Sequence, residues 1–339
     1  MTETEFDFLR AYLKQRSGLA LTAEKRYLVE SRLSPVCRRF NLAGLTELVG
    51  CLRVARDGAI ERAVVEAMTT NETFFFRDRT PFDLFRDVLL PGALAARANQ
   101  RRLRIWCAAA STGQEPYSLA MLLAEAAPRL AGWRVEIVAT DLSTEVLEKA
   151  KLGLYNQFEV QRGLPVQLML KHFTQVGEQW RIAESLRQMV DFRPLNLLQP
   201  FEQLGTFDIV YCRNVLIYFD TTTKADVLRR ISDQLAPDGA VLLGAAETVI
   251  GITETLVPDP EHRGLYRHGR AAASGGLANS GLANSGLANP GLANLGLAAS
   301  HAAPAPSYQG HAAPSVGATA TPALPSAAAA LAGLRWASR

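Results

Sequence analysis

The chain has 339 residues, with 36 Lys or Arg against 33 Asp or Glu and a formal net charge of +3. Two of the cations, Arg335 and Arg339, lie in an acid-free C-terminal stretch, so the remainder is almost neutral. That balance excludes the broad basic surface that a nucleic-acid backbone requires, and no nucleic-acid partner is expected. Hydrophobic residues make up 48% and charged residues 20%, enough to bury one large core or two modest ones. The four cysteines (Cys37, Cys51, Cys107 and Cys212) are scattered and form no CxxC. This excludes a disulfide scaffold and a zinc ribbon and fits a reduced, cytoplasmic protein. The first residues, with Glu3, Glu5 and Asp7, do not read as a secretory signal. No uncharged apolar run reaches the ~18 residues of a membrane helix, and the best, Ala240–Ile252, is interrupted by Glu247. No membrane insertion is expected.

Residues 3–70 read as helices, with Phe6, Leu9, Leu13 and then Leu45, Leu48, Leu52 at three- and four-residue spacing. A helix starting after Thr22 places Val29, Leu33, Val36 and Phe40 on one face, and Lys25, Arg32 and Arg39 along its flank. Pro35 is expected to kink or restart that helix. Spacing alone leaves the basic flank open between a solvated edge and a docking surface.

From Leu103 onward, short apolar runs alternate with helical stretches. The runs are Leu103–Cys107, Val135–Ala139, Val190–Phe192, Phe207–Cys212 and Ala240–Leu243, with helices expected at Pro116–Ala127, Thr144–Lys151 and Thr223–Leu235. Buried strands joined by helices indicate an α/β fold with a parallel sheet. Residues 155–190 are too long for a plain connection, and a small inserted subdomain is expected there. After Arg270 the composition turns to Ala and Gly, with a Gly-Leu-Ala-Asn unit starting at Gly276, Gly281, Gly286 and Gly291. Such a stretch buries too little to offset its ordering entropy and reads as a disordered tail, 271–339. The organisation expected is a helical domain over 1–80, a sheet domain over 81–270 and this tail.

In an open α/β sheet, ligands bind beyond the carboxyl ends of the strands. Polar residues stand at those ends. After the first run comes Ala108-Ala-Ala-Ser-Thr-Gly-Gln-Glu-Pro-Tyr-Ser118, which has one glycine where a dinucleotide loop would need GxGxxG, so a pyrophosphate ligand is disfavoured. After the second run comes Ala139-Thr-Asp-Leu-Ser143, where Asp141 is placed either to accept hydrogen bonds from a ribose or to cap the next helix. Asn196-Leu197 and Arg213-Asn214 follow later strands. An adenosine-sized site without a diphosphate loop suggests S-adenosylmethionine.

Five blocks in this order carry a resemblance: Met68-Thr-Thr-Asn-Glu-Thr-Phe-Phe-Phe-Arg77, Ala110–Ser118, Ala139–Ser143, Pro194-Leu-Asn-Leu-Leu198 and Cys212-Arg-Asn-Val-Leu-Ile-Tyr-Phe-Asp220. The chain resembles the CheR family of chemotaxis receptor methyltransferases over about residues 3–268. The resemblance implies a Rossmann-like methyltransferase sheet, an N-terminal all-helical domain and a small inserted β-subdomain. It also implies S-adenosylmethionine as methyl donor and receptor glutamates as acceptors, with chemoreceptor cytoplasmic signalling domains as partners and a monomeric enzyme. Asn71, Thr73 and Arg77 resemble the segment that closes over the cofactor, with Arg77 suited to its carboxylate. Glu115 and Asp141 match the cofactor-contacting acids, and Asn196, Leu197, Arg213 and Asn214 the remaining contacts. Gln114 departs from the Glu often found before the retained acid. Tyr218 is assigned to orienting the acceptor, and Lys25, Arg32, Arg38 and Arg39 to docking an acidic receptor segment. Phe74–Phe76 and Cys212 read as core packing, and no metal is expected. The stretch His172–Arg181 holds a single glycine, which implies an enzyme independent of a receptor peptide tether. The competing readings are a scaffold that only binds the cofactor and a methyltransferase with another acceptor.

Overall fold

The computed structural model describes residues 1–54, 58–269 and 335–336. The expected tail otherwise lies outside the described residues. Helix α1 (Glu3–Ser17) starts at a capping box in which Glu5 N donates to Thr2 Oγ1 and Thr2 N to the Glu5 carboxylate. It ends where Gly18 takes a left-handed φ of 77°. Helices α2 (Arg26–Arg39), α3 (Leu45–Val54) and α4 (Gly58–Met68) complete a bundle with its own core, built from Phe6, Leu9, Leu13, Val29, Leu33, Leu48, Val64 and Met68. Contrary to the sequence expectation, α2 runs unbroken through Pro35. The proline removes one donor, but its exposed side points away from the packed face of Val29, Leu33 and Val36, so packing holds the helix together.

Helices α5 (Thr80–Leu84) and α6 (Leu90–Ala96), separated by a wide turn over Phe85–Leu89, lead into the sheet. Its strands are β1 (Arg102–Ala108), β2 (Arg134–Asp141), β6 (Val190–Pro194), β7 (Phe207–Cys212), β8 (Leu235–Leu243), β9 (Leu256–Pro258) and β10 (Leu265–His268). They lie in the order β6-β2-β1-β7-β8-β10-β9. A two-residue β11 (Arg335–Trp336) pairs with the start of β2. The first five strands are parallel, and β10 and β9 are antiparallel. The five parallel strands expected from sequence are present, and an antiparallel pair extends them at one edge: the link from β9 to β10 is far shorter than the dozen or more residues a parallel crossover needs.

Helix α7 (Gln114–Glu125) follows β1, α8 (Thr144–Leu152) follows β2, and α12 (Thr221–Asp233) joins β7 to β8. One core face gathers Ile105, Tyr117, Leu119 and Ile137, and the other Trp106, Phe207, Val227 and Ile231. Between α8 and β6 lies a three-stranded antiparallel sheet, β3 (Leu154–Asn156), β5 (Gln179–Ile182) and β4 (Phe173–Val176), with short helices α9 (Gln157–Gln161), α10 (Val166–His172) and α11 (Glu184–Arg187). Among the described residues, no helix is long and apolar enough to cross a membrane.

Candidate active site

The chain order reverses across the sheet between β1 and β7, so the crevice opens beyond the carboxyl ends of these strands. A pocket there is lined by Asn71, Thr73, Arg77, Glu115, Asp141, Asn196, Leu197, Arg213, Asn214 and Tyr218, with Met68, Ser111, Leu142 and Val215 between them. Ten residues singled out from five separate stretches of sequence therefore share one cavity.

The loop after β1 is built for close approach. Ala109 and Ser111 hold positive φ angles of 65° and 51°, and Gly113 one of 92°. A side chain on Gly113 would meet the Ala150 methyl at 3.0 Å and the Tyr117 ring at 3.1 Å. The Asp141 carboxylate fastens this loop to β2, because Ser111 N donates to Oδ2 at 2.8 Å and Ser143 N to Oδ1 at 2.9 Å. Ser143, not Asp141, is the cap of α8, its hydroxyl accepting from Val146 N. The capping alternative for Asp141 is thereby removed. Burial raises the Asp141 carboxyl above its usual range, against the pull of the backbone donors.

Glu115 sits in the first turn of α7, where burial raises its carboxyl despite the Arg213 guanidinium at 2.9 Å. Arg213 is buried, with Nη2 donating to Asp78 at 2.6 Å and to the Arg77 carbonyl at 2.9 Å. Its charge is engaged inside the protein and reaches the pocket through Glu115 and the Arg77 backbone.

The 69–79 segment crosses the mouth. Ser111 Oγ donates to the Asn71 carbonyl, and Arg77 Nη1 to the Glu72 carbonyl at 2.7 Å. Arg162 of the inserted subdomain pairs with Glu72 at 2.7 Å and lies 4.3 Å over the Phe74 ring. Phe75 and Phe76 are buried in the sheet core, as is Cys212. Asn196 forms a tight turn, its Oδ1 accepting from Leu198 N, while Nδ2 donates to the Arg16 carbonyl of α1. Tyr218 sits on the short 3-10 turn Leu216–Tyr218, its carbonyl accepting from Ala20 N of the helical domain. The residue itself lines the pocket.

Of the basic flank, Lys25, Arg38 and Arg39 are exposed. Arg32 differs: Nη1 donates to the Met68 and Thr69 carbonyls, both at 2.9 Å, and Nη2 to Thr70 Oγ1 at 3.1 Å. It ties α2 to the pocket wall.

Sequence reasoning missed Glu247, read only as a break in an apolar run. The structure buries it to 9% exposure beyond β8, where its carboxylate accepts from a set of backbone amides on the Arg213–Tyr218 loop. A lone acid just past an apolar strand was the available signal, since a buried carboxylate must be matched by donors.

Comparison with known proteins places the chain. The all-alpha domain of CheR methyltransferases matches residues 4–69, and their SAM binding domain matches residues 71–259. A chemotaxis protein methyltransferase of Vibrio parahaemolyticus is 40% identical over 257 residues, covering 75% of this chain and 92% of that protein. Chemotaxis protein methyltransferase 1 of Pseudomonas aeruginosa is 43% identical over 249 residues, covering 72% and 90%. The chemotaxis protein methyltransferase of Escherichia coli is 37% identical over 251 residues, covering 73% and 85%. With both family domains in order and this similarity over 85% to 92% of the named relatives, the chain belongs to the CheR methyltransferase family.

Proposed function

We propose that this protein transfers a methyl group from S-adenosylmethionine to glutamate side chains on the cytoplasmic signalling domains of chemoreceptors. The observation that carries the reading is the convergence of the ten site residues on one pocket at the sheet's switch point, in a chain of this family. The donor set fits the cofactor. The Asp141 carboxylate, held by the Ser111 and Ser143 backbone amides, keeps lone pairs for a ribose hydroxyl. Arg77 offers a guanidinium at the rim, and Met68, Leu142 and Leu197 supply apolar wall for a base.

When bound, S-adenosylmethionine would supply an electrophilic methyl on a positively charged sulfur, with the neutral sulfide as leaving group for an acceptor carboxylate oxygen. An acceptor glutamate is already ionised at neutral pH, with a reference pKa of ~4.3, so the site needs no general base. Its tasks are alignment and exclusion of water. The Tyr218 phenol orients the acceptor carboxylate, and the 69–79 segment closes the mouth. Lys25, Arg38 and Arg39 attract an acidic receptor segment, a contact that weakens with salt. The enzyme acts as a monomer.

Incubation with tritiated S-adenosylmethionine and purified receptor signalling fragments should give base-labile label on the receptor. Asp141→Ala, which removes a charged hydrogen-bond acceptor worth ~1.5–3 kcal/mol, should lower kcat/KM about 10- to 100-fold. Calorimetric cofactor binding without any label would favour the scaffold reading instead.

A further inference from the structure

Immediately after β8 the chain runs Gly244-Ala-Ala-Glu247, and the Glu247 side chain folds back against the loop that follows β7. Oε2 accepts from Gly244 N at 2.6 Å and Asn214 N at 2.8 Å. Oε1 accepts from Val215 N at 3.0 Å, Leu216 N at 2.8 Å and Ile217 N at 3.3 Å. Among the described residues, no cation is paired with this carboxylate. Its charge is met by converging main-chain amides, an arrangement that binds anions in turns of alternating handedness. The left-handed residue in this turn is Asn214, at φ 59°. Asparagine accepts that conformation more readily than most residues, but it still needs support from its surroundings. Space is made for the carboxylate by Gly244, where a Cβ would lie 2.7 Å from Oε2 and 2.8 Å from Asn214 Nδ2.

Four of the five amides that Glu247 gathers belong to residues 214–217, a stretch that begins at Asn214 and leads into Tyr218, both of which line the pocket. We infer that Glu247 is a positioning residue for methyl transfer: its carboxylate shapes the 213–218 loop so that Asn214 and Tyr218 face the reaction site. This rests on the methyltransferase reading above. Only a carboxylate serves, because it has acceptors at both ends and no donor. Glutamine would turn an NH2 group toward amides that are themselves donors, and one side of the loop would open.

The test is Glu247→Gln in the receptor methylation assay, alone and combined with Tyr218→Phe. The single variant should lose at least tenfold in kcat at saturating cofactor and receptor. Because it acts through the loop that carries the phenol, its added cost in the Tyr218→Phe background should fall below threefold. Losses that multiply in full would mark a general weakening of the fold and overturn the inference, as would a Glu247→Gln enzyme within twofold of wild type. If Glu247→Gln does not fold, Glu247→Asp serves, since it keeps the charge but draws the carboxylate back from the loop amides by one methylene. A matching kcat loss supports the inference, and wild-type kcat overturns it. Absence of label with the wild-type enzyme would instead refute the methyltransferase reading itself.

Discussion

Backbone strain in this protein is concentrated where the chemistry is placed. Phe76, Asp78, Arg79, Ala109, Ser111 and Asn214 all hold positive φ angles without being glycine, and all lie in three loops at the pocket end of the sheet. Each such residue costs roughly 1–3 kcal/mol and persists only because its neighbours over-determine it. Gly163 supplies part of that determination. It sits at φ 82°, and a Cβ there would lie 2.1 Å from the Phe75 carbonyl oxygen and 3.0 Å from the Phe74 ring. Gly163→Ala should therefore destabilise by about 2–4 kcal/mol, combining overpacking with a strained φ. Thermal denaturation would read this at roughly 2–4 °C per kcal/mol for a chain of this size. Gly177 is the control: it also has a positive φ, 61°, but nothing lies within 4 Å of its added Cβ. Gly177→Ala should cost only about 1 kcal/mol. At this scale the sequence was partly legible. Asp141 stood out because a strand end is a defined place, whereas the Glu247 partners are main-chain amides that carry no side-chain signature.

The basic flank of helix α2, one surface by sequence pattern, is divided in the structure. Lys25, Arg32 and Arg39 share a flank by spacing, yet Arg32 reaches across to the carbonyls that end α4 and open the 69–79 segment. Docking and positioning should therefore separate kinetically. Lys25→Ala and Arg39→Ala should raise receptor KM a few-fold and flatten its salt dependence, while leaving cofactor affinity unchanged. Arg32→Ala should in addition weaken cofactor binding by about tenfold, as judged by calorimetry, because two carbonyls and a hydroxyl lose a charged donor. Equal cofactor affinity in all three variants would return Arg32 to the docking flank. The helix and the parallel strands were readable because their apolar periods are long and regular. The β9–β10 pair was not, since three- and four-residue strands hold too few positions to show alternation.

Across the whole molecule, the inserted subdomain grips loops that border the pocket. Tyr155 donates to the Thr112 carbonyl, and its ring meets Phe75 edge-on at 5.0 Å. His172, with its side chain fully buried, stands where α10 meets β4, its Nε2 3.4 Å from Glu125 and Lys171 beside the same carboxylate. Burial holds its pKa below the usual value, although Glu125 pulls the other way. The unfolded chain takes up this proton near pH ~6.5, and the folded chain resists it. Stability should thus be full above that pH and decline as pH falls below it. Denaturant unfolding at pH 7.5 and 5.5 should show this slope in the wild type and a shallower one in His172→Gln. The convergence of four sequence blocks was legible because parallel topology carries every carboxyl end to one side of the sheet, whereas Met68–Arg77 lies before β1 and was placed only by resemblance. The contacts that lock those blocks together depend on distances that spacing does not encode.

The join between the helical domain and the sheet has a consequence for modularity. Ala20 N bonds the Tyr218 carbonyl, Lys14 pairs with Asp220 at 2.6 Å, and a Cβ on Gly18 would strike the Phe219 ring at 2.7 Å. Three consecutive residues of the loop after β7, Tyr218 to Asp220, are thus seated on the end of α1 and the turn after it. The two domains are not interchangeable parts. A chimera that replaces the helical bundle therefore replaces the floor beneath Tyr218 as well, and keeps it only if Lys14 and Gly18 are carried across with the seam.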